Sequence, residues 1–198
     1  AGNAPIVGQA ASPGSGSVRL AGNLIKGNSA GAGDGAGVRL SRVNGLDVTA
    51  NGTVASEYVV DIVNNMIVNN VAALAGGGIS LQDAVKVRIV HNTIANNDSL
   101  GVAGEAFPPN SPNESSPQPG AGIASRKHSA ALAGARRANQ IGEFSLDASK
   151  NNSQDKFADN IIRQNRKFFF FVDETSGCTP ADPNCVSTYG LCPDVTGG

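Results

Sequence analysis

Five short segments alternate apolar and polar residues at the two-residue period of a half-buried strand: Val18-Arg19-Leu20, Val38-Arg39-Leu40, Val60-Asp61-Ile62, Ile79-Ser80-Leu81 and Val85-Lys86-Val87-Arg88-Ile89. In the last, alternation sends Val85, Val87 and Ile89 to one face and Lys86 and Arg88 to water. Helical periodicity is weak between them. Two further patterns punctuate these strands. The first, N-x-I-x-x-N, occurs at Asn23–Asn28, Asn65–Asn70, Asn92–Asn97 and Asn160–Asn165, with Ile25, Ile67, Ile94 and Ile162 at its centre. The second, G-x-G-[VI], occurs at Gly35–Val38, Gly76–Ile79 and Gly120–Ile123.

The spacing of the markers defines a period. Asn65 to Gly78 is 13 positions and Gly78 to Asn92 is 14, so one full turn is 27 residues. A repeat of this size predicts a solenoid. The pattern predicts coils of three short strands joined by sharp corners. Asn and Gly suit those corners because they tolerate left-handed backbone. When coils stack, the Asn amides of successive turns fall in register and bond to one another as a ladder. The expected ladder residues are Asn23, Asn28, Asn65, Asn70, Asn92, Asn97, Asn160 and Asn165.

The stretch from Asn65 to Asn97, with GGGISLQDAVKVRIVHNTIANN at its centre, resembles the right-handed parallel β-helix repeats of the pectin-lyase-like superfamily. The likeness spans about residues 17–171. It implies an all-β, right-handed parallel β-helix solenoid of about four coils with loop insertions, to which the residues add a disulfide-closed C-terminal tail. Proteins with such repeats include polysaccharide lyases and hydrolases, phage tail spikes, adhesins and uncharacterised bacterial surface proteins, so the resemblance points to a fold rather than to one activity.

Subtracting the period leaves insertions at about 44–57, 100–119 and 126–156. Residues 1–16 are small and polar, and are expected to be a flexible lead or the continuation of a longer parent chain. Within the third insertion, His128 to Asn139 could form a short helix covering a coil face. Residues 172–198 form a cysteine-containing tail. Its CTPADPNC segment is expected to close as a Cys178–Cys185 disulfide, which implies an extracellular or cell-surface location. Cys192 then pairs outside the chain, stays reduced, or replaces one of the two. A zinc site is the weaker reading of C-x6-C-x6-C. Before the tail, Phe168, Phe169, Phe170 and Phe171 form a row that needs cover by the tail, the third insertion or another chain, making it a candidate interface together with Cys192.

Composition narrows the classes of function. Fifteen basic and sixteen acidic residues give the 198-residue chain a net charge of -1. That leaves no basic excess for nucleic-acid binding. No apolar run reaches the length of a membrane span. Aromatic residues make up 5% and Trp is absent, which leaves few rings for stacking on sugars.

The hydrolases of the resembled superfamily use carboxylate pairs that include an adjacent Asp-Asp, and a His-Gly. Neither is present, because His91 is followed by Asn92. A lyase implies a Lys or Arg base with calcium on clustered carboxylates. The candidates are Arg126, Lys127 and His128, with Asp98 and Glu105 as binding residues flanking the second insertion. Their plainer reading is a solvated corner. Asp34, between glycines, is a single candidate calcium ligand; no metal site or other cofactor is assigned. The N-x-[ST] triplets at Asn51, Asn97, Asn113 and Asn151 matter only in a glycosylating host.

Two functions are therefore weighed. The first is a non-catalytic structural or adhesive β-helix segment, whose partners are the remaining coils of a parent chain or other subunits of an extracellular assembly. The second is a carbohydrate-active module that binds or cleaves an acidic polysaccharide along the coil face. Enzymatic activity is not assigned.

Overall fold

The computed structural model describes residues 16–41, 43, 58–82, 84, 86–106, 120–126, 156–173 and 188–193. These residues form an all-β, solenoid-like stack of parallel strands. The first coil comprises β1 (Val18–Ala21), β2 (Leu24–Lys26), β3 (Ser29–Ala30) and β4 (Val38–Ser41). The second comprises β5 (Val60–Val63), β6 (Met66–Val68), β7 (Val71–Ala72) and β8 (Ile79–Gln82). The third comprises β9 (Val87–Val90), β10 (Thr93–Ala95), β11 (Asp98–Ser99) and β12 (Ile123–Ser125). The last comprises β13 (Lys156–Ala158), β14 (Ile161–Arg163) and β15 (Arg166–Asp173), after which β16 (Thr188–Pro193) pairs back on β15.

Equivalent strands of successive coils pair in parallel. They make four sheets ordered β1-β5-β9-β13, β2-β6-β10-β14, β3-β7-β11-β15-β16 and β4-β8-β12. A coil thus has four strands where the sequence pattern suggested three. The additional strand, β3, β7 or β11, is only two residues long and follows directly on the second Asn of its motif, too short to show an alternation of its own.

The core follows from the period-2 pattern. Val60, Ile62, Val87 and Ile89 point inward from the first sheet, Ile67 and Ile94 from the second, and Val38, Leu40, Ile79 and Leu81 from the fourth. Register stacks like on like: Ile25, Ile67, Ile94 and Ile162 form one column through the four coils. Ile62, Ile67, Ile79, Ile89 and Ile94 are fully buried. Enclosing each of these side chains contributes on the order of 2 kcal/mol through apolar burial.

Two details of the sequence reading change. Val85-Ile89 is not one strand: β9 begins at Val87, and Lys86 takes a left-handed φ of 60° at the preceding corner. Val85 itself lies outside the described residues. The ladder asparagines are also not the left-handed residues. That role belongs to the residue before each: Gly22, Asn64, His91 and Asp159 in one column, Gly27, Asn69, Asn96 and Gln164 in the other. The bend therefore falls one position early, which turns the following Asn side chain inward.

The second Gly of each G-x-G-[VI] is fixed by close approach. A Cβ on Gly78 would lie 2.9 Å from Ile94 Cγ2 and 3.1 Å from Asn97 Nδ2. Gly37 meets Ile67 and Asn70 in the same way, and Gly122 meets Ile162 and Asn165. The two sequence motifs thus interlock: the glycine of one coil is small because the Asn and Ile of the next coil fill its space.

Of the insertions, 44–57, 107–119 and 127–155 lie outside the described residues, as do the 1–15 lead and the expected helix at 128–139. Arg126 and Lys156 belong to the coils rather than to an insertion, since the Arg126 N–H donates to Leu81 O and Lys156 opens β13. The start of the second insertion is ordered. A short 3-10 turn, Gly104–Ala106, packs Ala103 and Ala106 on Ala73, Leu74 and Ala75.

Candidate functional site

The buried asparagines of the described core run in two continuous columns. Asn23 Nδ2 donates to Asn65 Oδ1, Asn65 to Asn92 and Asn92 to Asn160, each at 3.0 Å. In the second column Asn28 donates to Asn70, Asn70 to Asn97 and Asn97 to Asn165, each at 2.9 Å. Each accepting Oδ1 also takes the backbone N–H of the preceding Asn, as Asn160 Oδ1 does from Asn92 N at 2.9 Å. The amides further donate to strand carbonyls; Asn92 Nδ2 reaches Ile62 O at 2.8 Å and Asn97 Nδ2 reaches Ile67 O at 2.9 Å. Asn65, Asn70, Asn92 and Asn97 can therefore be buried at 0 to 2% exposure without a desolvation penalty, because both ends of each amide are satisfied.

Carboxylates bridge the coils in the same manner. Asp34, between β3 and β4, is buried and receives Arg126 Nε at 2.6 Å and Nη2 at 2.8 Å. Its Oδ1 also accepts the Ala75 N–H at 3.0 Å. One carboxylate of the first coil is thereby tied to the second and third. Asp98 on β11 is held by Arg166 on β15 through bonds of 2.8 and 2.6 Å. Asp98 raises the pKa of the Arg166 guanidinium, through its hydrogen bond first and its charge second, against an opposing effect of burial. A raised cation pKa means that Arg166 stays protonated, and its side of the pair intact, until the pH rises through the guanidinium range. Arg166 also lies 5.5 Å from the Phe168 ring centroid. Asp61 and Arg88 pair across β5 and β9 at 3.2 Å, without hydrogen-bond alignment at that Asp61 oxygen.

This geometry redistributes the residues singled out for chemistry. Arg126 and Asp98 do not converge: one is committed to Asp34 and the other to Arg166. Asp34, considered as a calcium ligand, has both oxygens engaged by Arg126 and the Ala75 N–H. Glu105 lies in the 3-10 turn, and its side chain lies outside the described residues, as do Lys127 and His128. His91 is an exposed left-handed corner residue, 3.8 Å from Asp159 of the next coil. Asn97 is fully buried within its ladder.

The Phe row lies on β15, and its partner strand is the tail. Phe168 pairs with Pro193, Phe169 with Cys192, Phe170 with Leu191 and Phe171 with Gly190, antiparallel. Phe168 and Phe169 are half-buried. The side chains of Phe170, Phe171 and Cys192, and all of Cys178 and Cys185, lie outside the described residues.

Sequence reading missed Ser99 and Arg166. Ser99 is fully buried; its Oγ accepts the Gly77 N–H at 3.2 Å and donates to Gly120 O at 3.1 Å, fastening two glycine corners. The signal for Arg166 is its position directly after the last ladder Asn, where the third coil carries Asp98. Among the described residues no helix is long and apolar enough to cross a membrane, and no three His, Cys, Asp or Glu side chains gather as a metal site. Comparison with protein-family models, with curated proteins and with solved structures found no match.

Proposed function

We propose that the chain is a non-catalytic architectural segment, a right-handed parallel β-helix of the pectin-lyase-like kind acting as stalk, adhesin or assembly component. In this reading it works outside the cell or at its surface, with Cys178 and Cys185 joined. The observation that carries the proposal is how its chemistry-bearing side chains are used. Asp34, Asp98, Arg126 and Arg166 are paired across coils, and the core asparagines are consumed in two ladders. Both oxygens of Asp34 and of Asp98 are engaged by a guanidinium, so neither carboxylate is offered to a leaving group or to a water. Such pairs instead fix the stacking of one coil on the next.

The test is incubation of the full chain with polygalacturonate, with and without calcium, following reducing ends and unsaturated product. The reading expects neither above a heat-denatured control. Turnover that disappears on substitution of Lys127 or His128 by Ala would establish the carbohydrate-active alternative instead.

A further inference from the structure

The Asn ladders have a direction. Inside the stack, every ladder Asn gives its N–H and amide to the Oδ1 of the next coil. At the first coil, Asn23 and Asn28 are exposed, and among the described residues their Oδ1 atoms accept no hydrogen bond. At the last coil, the backbone N–H groups of Asn160 and Asn165 find no acceptor among the described residues. The first coil of the described stack thus presents acceptors, and the last presents donors, in columns with the same five-residue spacing. The core column behaves likewise: Ile162 is 44% exposed where Ile94 is 0%.

We propose that a second copy of this chain docks head to tail on these ends, the coil of β13 and β14 of one copy lying against β1 and β2 of the next. The proposal rests on the architectural reading above and names its partner. In this register Asn160 and Asn165 donate to Asn23 and Asn28 of the next copy, and Ile162 covers Ile25. The outward residues match too. Leu24, 64% exposed, comes beside Ile161, 58% exposed, so two isolated apolar side chains shield each other on the outer face, as Met66 lies beside Leu24 within the stack. The third sheet takes no part at the last coil, because β16 already extends it beyond β15.

The same register brings like charges together. Column by column, Lys26 aligns with Val68, Ala95 and Arg163, and Arg19 with Asp61, Arg88 and Lys156. Stacking therefore places Arg163 beside Lys26 and Lys156 beside Arg19 of the neighbouring copy. These contacts oppose association at low ionic strength and are screened by salt. A head-to-tail contact of this kind does not close on itself, so it yields an open series of oligomers rather than a dimer.

The experiment is sedimentation equilibrium of the full chain under reducing conditions, across concentration and salt. The expected result is a series of oligomers of the 20.0 kDa chain that grows with protein concentration and with salt. Leu24→Lys puts an ammonium against Ile161 and should weaken association about tenfold or more, with the melting temperature unchanged because Leu24 is exposed. Arg163→Glu should strengthen association about threefold or more by pairing with Lys26, and adding Lys26→Glu should reverse that gain. A monomer at every concentration and salt overturns the stacking and leaves the architectural reading standing, since the polygalacturonate assay tests that separately. Association untouched by Leu24→Lys, or weakened by Arg163→Glu, overturns the stacking by placing the contact elsewhere, such as at the Phe168–Phe171 strand.

Discussion

The second and third coils and the first and last described coils carry the same N-x-I-x-x-N motif, yet the motif is fully buried in one pair and partly open in the other. Asn65, Asn70, Asn92 and Asn97 are at most 2% exposed, and Ile67 and Ile94 are fully enclosed. Asn23 and Asn28 are exposed, Asn160 and Asn165 half-buried, and Ile162 is nearly half open. The residues are the same; the number of neighbouring coils differs. Stability in such a stack is a sum over coil-to-coil interfaces, so a central residue draws on two interfaces and a terminal one on one.

Substitutions that separate the two regions should rank accordingly, with urea midpoints at neutral pH as the measure. Ile94→Asp places a carboxylate in the closed core and should cost on the order of 5 kcal/mol, enough to unfold the chain; a variant that melts like the parent would mean the core column is misassigned. Asn92→Ala removes the buried acceptor of the Asn65 N–H and amide and takes one donor from the Ile62 and Val90 carbonyls, at a cost of about 3 kcal/mol. The same change at exposed Asn23 should cost about 1 kcal/mol or less. Equal losses would show that the ladder does not depend on coil neighbours. Gly78→Ala drives a methyl against the Gly122 carbonyl, Ile94 and Asn97, at about 2 kcal/mol or more, whereas Gly31→Ala, with nothing within 4 Å, should be close to neutral. A loss of only about 1 kcal/mol is expected from Arg166→Gln, because Arg166 is largely exposed although it leaves Asp98 buried without its cation.

The central coils were the legible part of the sequence. Val60-Asp61-Ile62 and Ile79-Ser80-Leu81 alternate over enough residues to reveal a strand and its inward face, and a period of 27 residues exposes the stacking. The two-residue strands carry no such periodicity, which is why β7 and β11 escaped notice and each coil was one strand short. The left-handed corners were misplaced by one residue, because His91, Asp159 and Gln164 adopt that conformation beside more obvious Asn residues. The ion pairs were illegible for a different reason. Asp34 and Arg126 are 92 positions apart and Asp98 and Arg166 are 68 apart, with insertions between them that disguise the register. Once the coils are aligned, both pairs belong to the stacking, and Asp34, Asp98 and Arg126 become fasteners.

The most direct test of the account compares Ile94→Ala with Ile162→Ala, two truncations of one core column, by equilibrium urea denaturation at a concentration where the chain is monomeric. A column whose stabilisation comes from coils on both sides should lose about 3 kcal/mol at Ile94 and no more than about 1 kcal/mol at Ile162. Equal losses at the two positions would contradict it, since Ile162 would then be enclosed as fully as Ile94 and the last coil would not be an open end.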